Sequence, residues 1–174
     1  SEIWGFIGDI YHQKAVNGNE IATEGAFGTR STDRNERKQM AKCYECYDKA
    51  LALYPDNSGV MNNYAYFLSL EERDLERALE MAERATTLMA NNPTFLDTRA
   101  WVLHKLGRND EAKRIMRQAI SLDTANSADL QLHYGDILAA LGEKFMAEVY
   151  WRKALDNGYD KASVEQRLQR LKQQ

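Results

Sequence analysis

The chain has 174 residues, of which 44% are hydrophobic and 28% are charged, so it can bury a core and is not of the disordered class. Its formal net charge of −3, its pI near 5.7 and the lack of a basic block argue against nucleic acid as a partner. No apolar run approaches the roughly 18 residues of a membrane-spanning helix, which predicts a soluble segment without membrane insertion.

The N-terminal end carries no sign of the compartment in which the protein works. The chain starts with Ser1 and shows no signal-peptide pattern, so we expect a processed protein or a fragment of a longer one. Its localisation stays unknown, cytoplasmic or periplasmic.

Two helices are predicted near the N terminus, because apolar residues recur three and four positions apart. Between them, a polar composition with three glycines predicts an exposed loop at about 13–32. This loop could carry recognition, or it could be a tolerated surface insertion. Asp33 and Glu36 have capping-box spacing, which would begin a long second helix. The predicted helices contain Trp4, Ile7, Gly8 and Tyr11, and then Cys43, Tyr47, Ala50 and Leu51.

A unit of helix, turn and helix recurs along the rest of the chain at intervals of about 35 residues. The stretch LHKLGRNDEA at 103–112 returns as LAALGEKFMA at 138–147, with both leucines, the glycine and an alanine in register. A weaker copy lies upstream, with a longer turn of sequence EERD. We therefore expect repeats at 1–57, 58–92, 93–127 and 128–160.

Small residues occupy equivalent positions in the four predicted first helices, namely Gly8, Ala65, Ala100 and Gly135. The spacing predicts that helices cross closely at these points, where a larger side chain would cost about 1 to 3 kcal/mol. Gly107 and Gly142 follow the first helices and are predicted to take positive φ in the turns.

The two ends of the array differ in their predicted exposure. Residues 161–174 place Val164, Leu168 and Leu171 on one helical face, which predicts a C-terminal capping helix. The N-terminal end begins on the apolar stretch IWGFI without such a cap. This favours further repeats upstream or self-association through this face, and exposed apolar residues without a role are the simpler alternative.

The sequence resembles the tetratricopeptide repeat (TPR), whose pattern is W-x2-L-G-x2-Y followed by Ala, an aromatic residue, Ala and Pro. WGFIGDIY at 4–11 resembles the first half, and CYECYDKALALYP at 43–55 resembles the second. The resemblance covers roughly residues 1–160. It implies an all-α, right-handed α-α superhelix (solenoid) of four TPR units and the capping helix, which would be a fragment or the C-terminal region of a longer, bacterial-type protein.

In TPR proteins the first helices line a concave groove that holds peptides or protein segments, so the resemblance implies this function here. Helical spacing predicts that the solvent-facing positions are Glu2, Gly5, Phe6, Asp9, Asn62, Asn63, Tyr66, Asp97, Thr98, Trp101, Leu132, His133 and Asp136. From these we select the candidate groove residues Phe6, Asp9, Asn62, Asn63, Tyr66, Asp97, Trp101, His133 and Asp136. Their aromatic and acidic character favours a neutral or basic segment. Ordinary solvated helix residues are the simpler alternative.

Chaperone-binding TPR proteins hold two carboxylates with Lys, Asn and Arg side chains. The matching positions here are Gly5, Asp9, Asn63, Thr94 and Thr98, and only Asn63 agrees. The sequence therefore predicts a scaffold that is not of the two-carboxylate-clamp type. The alternative function is a structural spacer or oligomerisation module that uses the exposed N-terminal helical face.

No residue pattern indicates catalysis, a metal or a cofactor. Cys43 and Cys46 form a single C-x-x-C, which is half of a zinc site, and Cys43 takes a position that alanine holds in the later repeats. A buried structural thiol is the better interpretation. Asp129, His133 and Asp136 share a helical face and could in principle hold a metal, but a solvated polar stripe is the simpler interpretation.

Overall fold

The computed structural model describes residues 2–22 and 29–173, with side chains at 2–14, at 35 and at 37–173. These residues form helices and no strand, so the predicted all-α class is confirmed. The helices are α1 (Glu2–Ala22), α2 (Thr29–Leu53), α3 (Ser58–Leu70), α4 (Leu75–Leu88), α5 (Pro93–Lys105), α6 (Asn109–Leu122), α7 (Ala128–Ala140), α8 (Lys144–Asp156) and α9 (Lys161–Lys172).

The chain divides into two compact parts, which we call the N-terminal body (Ser1–Tyr64) and the C-terminal body (Ala65–Gln174). The N-terminal body contains α1, α2 and the first half of α3. The C-terminal body contains the rest of α3 and all later helices.

The predicted loop at about 13–32 is wrong over most of its length. Helix α1 continues to Ala22 and α2 begins at Thr29, while residues 23–28 lie outside the described part of the chain. Gln, Lys, Ala, Glu and Arg in these stretches are good helix formers, and a single glycine inside a helix costs only about 1 kcal/mol. Asp33 therefore lies inside α2 and does not begin it, although the second helix is long, as predicted, with 25 residues.

Close approach to the neighbouring helix occurs at two of the predicted small residues, and the other two, Ala65 and Ala100, are fully buried. In the N-terminal body, a Cβ atom on Gly8 would lie 2.7 Å from Cε1 of Tyr47. In the C-terminal body, a Cβ atom on Gly135 would lie 2.5 Å from Nε1 of Trp151. These separations are too short for contact with a ring, so only glycine fits without a shift of the ring.

The turns of the C-terminal body confirm the predicted role of glycine. Gly107 and Gly142 both have φ of +76°, and the following N–H group returns to the first helix in each turn. The turn between α3 and α4 has no glycine. Glu72 takes its place with φ of +51°, and the Arg73 N–H still reaches the Leu68 carbonyl at 3.0 Å.

Consecutive helices pack against one another in the C-terminal body from α4 to α9, and the first helices α5 and α7 also touch. The α9 helix buries Val164, as expected of a capping helix. In the described part of the chain, no helix combines the length and the hydropathy that crossing a bilayer requires.

Candidate protein-binding surface

A chain of hydrogen bonds joins the candidate residues of the N-terminal body. Asp9 on α1 accepts one bond from the hydroxyl of Tyr47 and another from Nδ2 of Asn63, at 3.2 Å. Asn62 donates to the Asn63 side-chain oxygen at 3.3 Å and is only 5% exposed, so its predicted exposure is wrong. Burial and the bond to Asp9 raise the pKa of Tyr47, which keeps this donor protonated.

The candidate residues of the C-terminal body form a buried cluster around His133. Its Nδ1 lies 2.9 Å and 3.1 Å from the two carboxylate oxygens of Asp97, and its ring stacks on Trp101 with 4.1 Å between centroids. The Tyr66 ring lies 6.3 Å from the His133 ring. His133 is 5% exposed, so this arrangement is held inside the fold and not in solvent.

Electrostatics in this cluster favour the protonated imidazole. Burial lowers the pKa of His133, but the charge of Asp97, the hydrogen bond to Asp97 and the charges of Asp136 and Asp129 outweigh it, so the pKa is raised. Burial and then the charges of Asp97 and Asp129 raise the pKa of Tyr66 to about 12. Asp97 is therefore compensated internally.

The predicted solvent exposure of the first-helix positions is wrong in several places. Helical spacing identifies one face of each helix, but neighbouring helices and stacked rings cover much of that face. The predicted positions that prove to be buried are Gly5, Asn62, Asp97, Thr98, Trp101, Leu132 and His133.

Asp136 joins three helices of the C-terminal body. It accepts a hydrogen bond from the Trp151 indole at 2.8 Å and two from the Arg167 guanidinium of α9, at 2.7 Å and 2.9 Å. The bond to Asp136 raises the pKa of Arg167. Asp136 and His133 thus have protein partners, and no group of three or more potential ligands among the described residues is placed to hold a metal.

A cavity of about 510 Å³ opens beside Asp136 in the C-terminal body. Trp101 and Trp151 form aromatic walls, and Nε1 of Trp101 has no hydrogen-bond partner among the described residues. The basic side chains that line the cavity are His104, Lys105, Arg167 and Arg170. Of the candidate groove residues, Trp101 and Asp136 line it.

Sequence reasoning missed the basic lining of this cavity. Arg167 and Arg170 lie three positions apart on α9, within the stretch QRLQR, so they share a helical face. That spacing was the available signal, but it does not show which helix the two side chains approach.

The two cysteines are buried, as predicted for Cys43. Burial also raises the pKa of the Cys46 thiol, which makes the reactive thiolate scarce. The C-x-x-C pair thus lies inside α2 as part of the packing.

Two sequence models of the family described as tetratricopeptide repeat match the chain, at residues 46–80 and 94–126. The chain therefore contains tetratricopeptide repeats at these residues. The TPR fold is generally a scaffold for protein–protein interaction, and TPR proteins are typically non-catalytic.

A TPR repeat-containing protein of Pseudomonas aeruginosa is 28% identical over 92 residues, which are 53% of this TPR chain and 16% of that relative. Among solved structures, a thermophilic TPR protein of Thermus thermophilus has a TM-score of 0.66 at 17% identity, over 94% of this chain and 91% of that one. The first TPR domain of Spaghetti (RPAP3), bound to an HSP90 peptide, has a TM-score of 0.60 at 15% identity, over 67% of this chain and 90% of that one.

Proposed function

We propose that this TPR protein is a scaffold that binds a segment of another protein at its first helices. The observation that carries the proposal is the cavity of the C-terminal body, which combines two indole walls with ionic side chains from α5, α7 and α9. Aromatic walls with a few polar groups are typical of surfaces that bind peptides. A neighbour of the same fold holds an HSP90 peptide, which supports this class of partner.

The candidate residues divide into two roles under this proposal. In the C-terminal body, Tyr66 and Asp136 keep some exposure and would touch the segment. Phe6, Asp9 and Asn63 are the candidates of the N-terminal body that keep some exposure. The buried residues Asn62, Asp97 and His133 would hold these side chains in place, and Trp101 would supply a cavity wall.

The experiment is a selection of peptides from a random displayed library, followed by affinity measurement with fluorescently labelled copies. We expect Tyr66→Ala and Trp101→Phe to weaken binding at least about fivefold, because contacts at aromatic residues dominate such interfaces. Gln118→Ala, on the exposed surface of the second helix α6, is the control and should leave affinity unchanged. Equal loss in the control, or no selected peptide, would contradict the proposal.

We further propose that the protein is not a two-carboxylate clamp. The heptapeptide SRMEEVD, seen with the Spaghetti domain, is a suitable probe because a clamp requires its free C-terminal carboxylate. We expect the free acid and the C-terminal amide to have affinities that agree within about twofold. A large loss on amidation would mean that a clamp exists.

A second candidate function is self-association through the N-terminal helical face. Ile3 and Phe6 are 73% and 67% exposed, and Leu53 and Tyr54 of the same body are also exposed. Such side chains favour burial against another surface. If they mediate assembly, Phe6→Ser will abolish a concentration-dependent dimer in sedimentation, whereas Tyr66→Ala will not.

A further inference from the structure

The cavity of the C-terminal body has an excess of positive charge. Lys105, Arg167 and Arg170 line it, and Asp136 is the lining residue that carries a negative charge. This balance is opposite to the net charge of −3 of the whole chain. The local field therefore favours an anionic group although the protein as a whole is acidic.

The negative charge of Asp136 is already compensated. Arg167 donates two hydrogen bonds to it, and Trp151 donates a third. A ligand that enters the cavity therefore meets an occupied carboxylate, and the ion pair of Arg167 leaves this arginine little capacity for a second anion.

Lys105 and Arg170 are the cations that remain for a ligand. The Lys105 ammonium lies 2.9 Å from the carboxylate of Glu72, whose side chain is 65% exposed. A ligand carboxylate can therefore replace Glu72 at a low cost in free energy. Arg170 is exposed and has no ion pair among the described residues. Together they present a pair of donors at one cavity.

Apolar surface lies beside these cations. Ala139, Ala140 and Leu171 line the same cavity, as do the two indole rings. A free inorganic anion would leave this surface uncovered. A peptide segment would cover it, because an aliphatic stem or a neighbouring apolar side chain accompanies each acidic group.

We infer that the cavity binds an acidic residue, Asp or Glu, of a partner protein segment, with Lys105 and Arg170 as the residues that recognise the carboxylate. This inference rests on the proposed function and specifies the partner. It also replaces, for this cavity, the expected preference for a neutral or basic segment. That expectation counted Asp9, Asp97 and Asp136 as negative charges, and in the C-terminal body Asp97 and Asp136 are paired with His133 and Arg167.

The test uses acetylated and amidated peptides from the library selection, so that side-chain carboxylates are the only acids in the ligand. We expect the bound peptides to contain Asp or Glu, and replacement of that residue by Asn or Gln to weaken binding about five- to tenfold. Raising the salt concentration should weaken the binding of the acidic peptide more than the binding of its amide counterpart, the peptide with Asn or Gln in place of the acidic residue.

Charge-neutral variants assign the effect to the cavity. Lys105→Gln with Arg170→Gln should bind the acidic peptide and its amide counterpart equally well. The matched control is Arg114→Gln, which removes an exposed cation from α6 and should keep the preference. Circular dichroism verifies that each variant is folded.

The outcomes separate the inference from the proposed function. Peptides that bind without preference for the carboxylate would overturn the inference and leave the scaffold proposal standing. Failure of all peptides would overturn both. Tighter binding of a thymidine oligonucleotide than of the acidic peptide would overturn the inference in favour of single-stranded nucleic acid.

Discussion

The first and the last repeat build the same contact with different chemistry. In the N-terminal body, Gly8 lies against Tyr47, and the next residue, Asp9, accepts the hydrogen bond of the same tyrosine. In the C-terminal body, Gly135 lies against Trp151, and Asp136 accepts the indole hydrogen bond. The glycine leaves room for the ring, and the aspartate that follows it accepts the hydrogen bond donated by the hydroxyl or indole N–H of that ring.

The two aspartates differ in their second partner. Asp9 receives a neutral donor, Asn63, whereas Asp136 receives the cation Arg167. Among the described side chains Asp9 has no cationic partner, whereas Arg167 neutralises Asp136. Equivalent positions of a repeat can thus share packing and still give two surfaces of different charge.

The third repeat has no glycine at this position. Ala100 stands there instead, and Met116, which takes the sequence position of the ring on the second helix, is fully buried; its flexible side chain suits packing beside a methyl group. The residue that follows the alanine is then aromatic, Trp101. The aromatic ring of this repeat is therefore on the first helix and not on the second, and it lines the cavity.

Substitution of His133 should produce the largest loss of stability and the sharpest contrast between the bodies. His133→Phe keeps a ring against Trp101 but leaves Asp97 buried without its partner, which we expect to cost about 3 to 5 kcal/mol in the free energy of unfolding. Asn63→Ala in the N-terminal body removes a neutral donor from the part-exposed Asp9 and should cost only about 0.5 to 1.5 kcal/mol. Urea unfolding measures both.

The control for the buried pair is the double variant Asp97→Leu with His133→Phe. It removes both charges, so we expect most of the lost stability to return. If the double variant is as unstable as His133→Phe, the loss comes from packing and not from the isolated carboxylate.

The contact between Gly135 and Trp151 can be tested by introducing the residue types that the third repeat has at these two positions, alanine and methionine. Gly135→Ala should lower the free energy of unfolding by about 1 to 2 kcal/mol, because the clash with Trp151 exceeds the gain in helix propensity. In the background Trp151→Met, the same change should be neutral or stabilising, because Ala100 and Met116 hold the equivalent sequence positions in the third repeat and both are fully buried. Equal losses in both backgrounds would disprove the ring contact as the cause.

The pH dependence of stability should distinguish the charged cluster from the neutral one. The pKa of His133 is raised above its ordinary value of 6.5 in the folded protein. Its contribution is therefore fully present below about pH 6.5 and is lost as the pH rises through the folded pKa. We expect a smaller free energy of unfolding at about pH 8 than at about pH 6, measured by urea titration.

The control for this pH effect is His133→Gln, which can still bond to Asp97 but does not titrate. Its stability should change less over the same interval than that of the unaltered protein. Stability that is constant or that rises with pH in the unaltered protein would contradict the raised pKa.

Spacing alone was enough to predict the repeats, the small residues at the crossings and the glycines of the turns, because these depend on backbone geometry within one repeat. The burial of Asp97 and His133 was not predictable in the same way, since it depends on rings and helices that cover a face. The extension of α1 to Ala22 and the start of α2 at Thr29 were missed because glycine was weighted above the helix formers around it.

The basic cavity was harder still to predict. Lys105 and Arg167 come from helices far apart in sequence, and long side chains can reach several neighbours. The pair formed by glycine and aspartate at 8–9 and 135–136, with an aromatic residue on the following helix, was a visible signal of the satisfied aspartates. It specified the contact with the ring but not the second partner, Asn63 or Arg167.

The smallest expected effect concerns Glu72, which holds Lys105 as Asp136 holds Arg167, but in an exposed pair. Glu72 also has φ of +51° where the later turns have glycine. Glu72→Gly should relieve the backbone and raise the melting temperature by roughly 1 to 3 °C, although the ion pair is lost. Glu72→Gln loses the charge without that relief and should not raise it. Both variants release Lys105, so both should bind the acidic peptide more tightly; a gain in the glycine variant alone would assign the effect to the backbone and not to the charge.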